Sequence, residues 1–127
     1  MRNSAHKQFS RAEGTSVPVV AIPYRDVYSS DEVSKLQAGL VPMSMDEKWY
    51  VLYEDSQLLF FRSWTGTLIY RVWLESTPAG VTAARAEVLD NTEMYRRGTP
   101  DYEAKLLSYL VRRMLLHQDV PFPQRAG

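Results

Sequence analysis

Arg62, Ser63, Trp64 and Thr65 stand side by side in the stretch FRSWTGTLIYR, residues 61–71, between two of the most apolar runs of the chain. Their side chains suit recognition. Trp64 offers a flat stacking plate, Arg62 a planar fork that matches carboxylate or phosphate, and the two hydroxyls add donors. Such a set fits a nucleotide, a nucleotide-derived anion such as an ADP-ribose-like ligand, or an acidic protein loop. The same residues also read as the end of a hairpin. Gly66 can take the positive φ of a tight turn centred on Thr65-Gly66. Trp64 would then cover the sheet end, Arg62 would lay its stem along the strand, and Ser63 would bond the turn backbone. Strand alternation predicts that Arg62 and Trp64 share one face and Ser63 the other.

Other chemistry-bearing residues are sparse. Glu54 and Asp55 are adjacent carboxylates at a second expected hairpin, where turn chemistry alone accounts for Asp55. The two histidines, His6 and His117, have no metal-ligand spacing, and there is no cysteine. No Gly-rich loop opens a helix, which excludes a Walker- or Rossmann-type phosphate cradle. Arg96 and Arg97 precede an expected helix N-terminus. They read as a solvated loop or as an anion site shared with free helix amides. Arg112 and Arg113 read as a solvated helix face. No catalytic residue, metal ligand or cofactor site is assigned.

Period-two patterning sets in at Lys48 and predicts strands at 48–54, 57–64, 67–75 and 81–90, rich in Val, Ile, Tyr, Phe and Trp. Their short links make sequential neighbours antiparallel, hence a meander. Upstream, VPVVAIPY carries two prolines, which confine it to an extended or edge segment. A short N-terminal helix follows, with Ser29 and Glu32 as capping box and Gly39 as stop. Downstream, Thr99 as N-cap and Pro100 at the first helical position open the C-terminal helix. Its apolar stripe is Leu106, Leu107, Leu110, Val111, Met114 and Leu115. The expected fold class is α+β: a four-stranded antiparallel meander packed against a C-terminal helix, with a short N-terminal helix. Residues 1–16 read as a flexible lead and 17–127 as a single domain.

The strands are apolar on both faces. Leu58 and Phe60 oppose Leu59 and Phe61, and Tyr70 and Val72 oppose Ile69 and Trp73. One helix of about 18 residues, roughly 27 Å long, covers one face of such a sheet. The second cover is expected to be the VPVVAIPY arm with the short helix, or a second chain.

The run EKWYVLYEDSQLLFFRSWTGTLIYRV, with YEAKLLSYLVRRMLLHQDVPFP later, resembles a family of small bacterial proteins. Its pattern is K-W-x-x-Y-x-E-D followed by R-S-W-T-G-x-x-I-Y. The resemblance spans residues 47–123 and implies one compact domain. It directs attention to Lys48, Trp49, Tyr53, Glu54, Arg62, Ser63, Trp64, Thr65, Gly66 and Tyr70, and assigns none of them a role.

Charge decides among the remaining function classes. Fifteen basic residues balance fifteen acidic ones, so no overall field attracts nucleic acid or an anionic membrane. No apolar run reaches the roughly 18 residues of a membrane span, and no signal-like segment opens the chain. The expectation is a cytoplasmic, non-enzymatic module that binds another protein, immunity-like or antitoxin-like by analogy. A domain for a nucleotide-derived anion and a homodimeric structural protein are the alternatives.

Overall fold

The computed structural model describes residues 18–43 and 47–124. The expected lead, residues 1–16, lies outside them. Six strands form one antiparallel sheet: β1 (Val19–Ala21), β2 (Val27–Tyr28), β3 (Trp49–Glu54), β4 (Gln57–Arg62), β5 (Leu68–Thr77) and β6 (Gly80–Leu89). The expected four-strand meander is β3 to β6. The count rises to six because β1 and β2 both pair with β6, Val19 to Ala21 against Leu89 to Glu87 and Val27 and Tyr28 against Thr82 and Val81. They form one broken edge strand, interrupted at Pro23. A proline has no ladder donor, so an edge position with a break is what this segment tolerates.

Turn chemistry sets the registers. Asp55 and Ser56 both have positive φ (53° and 59°), the mirror-image turn whose twist matches two paired strands. Glu54 therefore sits opposite Gln57 and Trp49 opposite Arg62. The β4–β5 connection is wider than the expected two-residue turn. Gly66 has φ 72°, its N–H donates to the Arg62 carbonyl at 2.8 Å, and the Arg62 N–H donates to Thr67 at 2.9 Å. Strand β4 thus ends at Arg62, and the alternation that would place Trp64 on its face ends there too.

Helix α1 (Ser30–Ala38) carries the expected capping box: Glu32 N–H donates to Ser29 Oγ, and Ser29 N–H donates to Glu32 Oε1. Two strands precede it among the described residues, so it is an internal helix and not the N-terminal one expected. At Gly39, φ is 68° and a Cβ would collide with the Val51 carbonyl, because Leu40 pairs directly with Val51. Helix α2 (Pro100–Tyr109) is capped by Thr99, whose Oγ1 accepts from Tyr102 N–H.

The C-terminal helix departs from expectation at Leu110, where six residues, Leu110–Leu115, turn π-helical. Leu116 N–H donates to the Val111 carbonyl, five residues back. The wider turn changes the stripe. Leu110 and Leu115, and Val111 and Leu116, are buried pairs five apart, whereas Leu106 and Met114 are only half-buried.

Both helices pack on one face of the sheet, over Trp49, Val51, Leu58, Phe60, Tyr70, Val72 and Val88. The arm and α1 do not cover the other face, as one expectation had it. The arm joins the sheet edge, and α1 contacts the π-helical segment on the helix side. Leu59 and Phe61 are nonetheless buried on that second face, beside Tyr50 and Arg71. No helix among the described residues is long and apolar enough to cross a membrane.

Candidate functional site

The register that sets Trp49 opposite Arg62 and Phe60 opposite Tyr70 brings their side chains together at one end of the helix-covered face. The Arg62 guanidinium lies over the Trp49 ring at 4.8 Å and over the Tyr95 ring at 5.7 Å. Trp49 packs against Tyr70 (5.8 Å between centroids) and edge-on against Phe60 (6.3 Å). Tyr95 comes from the loop after β6 and meets Tyr70 edge-on at 6.2 Å. Such ring pairs are favourable because a ring edge is positive and a ring face negative, and the same face attracts a cation.

Beneath the rings, three donors converge on Glu103. Its Oε1 accepts from the Tyr70 hydroxyl at 2.6 Å and the Tyr95 hydroxyl at 2.8 Å, and its Oε2 accepts from Gly98 N–H at 2.7 Å. Glu103 is 0% exposed. A buried carboxyl without partners would cost several kcal/mol, so these three bonds are a condition of its burial. Burial, then the charge of Tyr95, pushes the Tyr70 phenol well above its ordinary value. Burial likewise raises Tyr95. Both remain O–H donors at neutral pH. Gly98 is needed for close approach, since a Cβ there would stand 2.9 Å from the Tyr102 ring and 3.3 Å from Glu103 Oε2.

Of the residues singled out in the sequence, the structure joins Arg62 and Tyr70. Ser63 buttresses them: its N–H donates to the Lys48 carbonyl and its Oγ to the Glu47 carbonyl, both at 2.7 Å. It bonds the start of β3 and not its own turn. Trp64 and Thr65 sit on the turn, Trp64 at 61% exposed, with the Thr65 hydroxyl donating to Thr67 Oγ1 at 2.9 Å. Tyr53 and Glu54 lie at the far end of β3, about 14 and about 17 Å from Trp49 at the usual rise per residue. They belong to a different part of the sheet.

Sequence reading missed Tyr95, Gly98 and Glu103. A signal for Glu103 was present: it stands four residues before Leu107 and eight before Val111, on the apolar stripe. Arg96 and Arg97, read as a solvated loop or as an anion site, differ in the structure, where Arg96 is exposed and Arg97 half-buried. Arg97 is engaged by Asp90 (Nε to Oδ1, 3.0 Å) and by the Gly98 carbonyl, while Glu103 and Thr99 occupy donors at the helix start.

A second polar cluster clasps the other end of the helix layer. Arg112 Nη2 and Nε donate to the two oxygens of Asp26 at 2.5 and 3.1 Å, and Nη1 donates to Glu32 Oε2 at 3.1 Å. Gln118 donates to the same Glu32 oxygen. Tyr24 and Tyr28 hydrogen-bond to each other beneath, and Arg112 lies over the Tyr28 ring at 5.5 Å. The sequence reading of Arg112 as solvated is therefore corrected. Arg113, its side chain 51% exposed, is the solvated member of the pair.

No group of three or more metal-ligating side chains occurs among the described residues. Comparison with family models, with curated proteins and with solved structures finds no match for this chain. The meaning of the site rests on its geometry.

Proposed function

We propose that the chain is a protein-binding module whose contact surface centres on the β4–β5 turn. The observation that carries this reading is the placement of Trp64. It is a large aromatic side chain, 61% exposed, on a turn whose backbone is fixed by hydrogen bonds. Ser63 is bonded twice to the start of β3, Gly66 closes onto Arg62, and Thr65 onto Thr67. A Trp presented on a fixed backbone loses little conformational freedom on binding, and Trp is prominent among residues that dominate interface energies. Met43, 85% exposed, adds apolar area nearby: its N–H donates to the side chain of Glu47, whose carbonyl holds Ser63. The Ser63 hydroxyl is engaged in positioning the turn, which argues for a structural and not a nucleophilic use. The partner is another protein, in the manner of an immunity protein or antitoxin meeting its target.

The test is affinity capture from the native host with the wild-type chain and with Trp64→Ala, followed by titration of the captured protein. Trp64→Ala should weaken the interaction by at least about 2 kcal/mol while melting like the wild type. Capture of the same proteins by both chains with equal affinity would sink the reading. Light scattering separates a second copy of this chain from a different partner.

A further inference from the structure

We propose that Arg62 is the receptor for an oxyanion, a phosphate or carboxylate group of a ligand, beside the rings of Trp49 and Tyr95. This goes beyond the protein-partner reading and does not depend on it. The guanidinium carries five N–H donors in a planar fork, and at this half-buried position none of them is shut away from solvent without a partner, so they are open to a ligand. Arg97 has Asp90 and the Gly98 carbonyl, and Arg112 has Asp26, Glu32 and Gln118. Arg62 differs. Among the described residues its side chain makes ring contacts, to Trp49 and Tyr95, and neither a hydrogen bond nor an ion pair. Ring faces hold the flat face of a guanidinium and leave the in-plane donors for another group. The nearby carboxylate, Glu103, does not satisfy them. Its oxygens already accept from Tyr70, Tyr95 and Gly98, and it reaches Arg62 through the Tyr95 ring.

The surroundings prepare the group. Arg62 ends β4 with its N–H bonded to Thr67, so its backbone is fixed before a ligand arrives. Two aromatic contacts restrict the side chain, which lowers the entropy lost when an anion is clamped. Two exposed cations adjoin the residues of the site in sequence, Lys48 before Trp49 and Arg96 after Tyr95. The phenols of Tyr70 and Tyr95 stay protonated, so no phenolate competes for the cation. A bidentate guanidinium–oxyanion pair partly shielded from water is the strong form of this interaction.

The experiment is nitrogen-15 NMR on the full chain at constant ionic strength. The Arg62 Nε–H and Trp49 indole N–H signals are followed while inorganic phosphate or glutarate is added. Both signals should move together and saturate, with half-saturation below about 10 mM for at least one anion. A response to phosphate alone points to a phosphorylated ligand, and a response to glutarate alone points to a carboxylate; either supports the receptor. Arg62→Gln should raise the half-saturation point at least tenfold. Arg62→Lys keeps the charge and loses the fork, and should raise it at least threefold. It carries the comparison if Arg62→Gln does not fold. The proposal is overturned if neither anion moves the Arg62 and Trp49 signals saturably, or if both folded variants bind as the wild type does.

Discussion

The hydroxyl of Tyr70 donates to Glu103 Oε1 at 2.6 Å across 33 residues of sequence, joining the middle of the sheet to the first turn of the C-terminal helix. Both residues are fully buried. The bond therefore acts as a locating pin. A helix lying on a sheet through Leu and Val alone can slide with little change in buried area, whereas a carboxylate that must meet Tyr70, Tyr95 and Gly98 fixes one position. The aromatic platform under Arg62 inherits that precision, because Tyr95 is held by Glu103 and Trp49 packs on Tyr70.

Tyr70→Phe keeps the ring and deletes the donor. It should cost about 1–3 kcal/mol, because Glu103 keeps its burial and loses one of three donors. Glu103→Gln should cost at least as much, since an amide NH2 would face O–H or N–H groups that need an acceptor. Urea melts of the two variants check this. A Glu103→Gln chain as stable as the wild type would show that the donors do not require a carboxylate.

Arg112 and Arg113 are adjacent in sequence and unequal in structure. Arg112→Ala strands Asp26 and Glu32, whose side chains are 18% and 25% exposed, and should cost about 1–3 kcal/mol after allowance for solvent screening. Arg113→Ala removes an exposed side chain whose partner, Asp119, is itself fully solvated, and should stay within about 0.5 kcal/mol. Denaturant midpoints at matched pH give the comparison.

Stability should depend on pH through Glu32. Its carboxyl is held below the ordinary value, first by the Ser29 N–H that donates to it; burial opposes this, and Arg112 and Gln118 add to it. The folded state thus releases this proton at lower pH than the unfolded chain. The stabilisation is complete above the ordinary value of 4.5 and is lost as pH falls through the depressed folded value. Melts between about pH 7 and about pH 3 should show a steeper acid loss for the wild type than for Glu32→Gln. Parallel curves would remove Glu32 from the account.

The π-helical turn makes a prediction that an ordinary helix would reverse. Leu116, 2% exposed, is inside and Met114 is half-buried. Leu116→Ala should cost about 2–5 kcal/mol, as should Leu110→Ala, and Met114→Ala distinctly less. Thermal melts that rank Met114 above Leu116 would restore a continuous α-helix.

Much of the framework was legible because local chemistry and tertiary structure agree there. The capping box at Ser29 and Glu32, the Asp55-Ser56 turn, and Thr99 with Pro100 are each specified within four residues of sequence. The strands β1 and β2 were harder to read. Segments of three and two residues between prolines carry no period, and they are strands because β6 offers a partner. The site divides the same way. Arg62 announced itself by type, but its partner rings come from β3 and from the loop after β6, a relation that register and not proximity in sequence creates. Trp64 was placed on the strand by counting alternation past the residue where the strand stops. Glu103 was overlooked because an acid in the first turn of a helix already has an explanation in the helix dipole.

The clasp between Arg112 and Asp26 joins residues 86 apart, and this sets an order for folding during synthesis. The hairpins of β3 to β6 close short loops and can pair as soon as each strand has left the ribosome. The clasp must wait until the chain has been made through its last helix. Until then the N-terminal edge is held by its few bonds to β6, and the buried Glu103 socket has no helix to fill it. A chain truncated before residue 100 should therefore retain an antiparallel sheet whose helix-facing side keeps α1 and lacks the C-terminal helix, a partly open form suited to capture by chaperones. The same molecule is secured late, by the Arg112 clasp to Asp26 and Glu32 and by the packing of its C-terminal helix, so the vulnerable period of its life is the interval between completing the meander and emerging through Arg112.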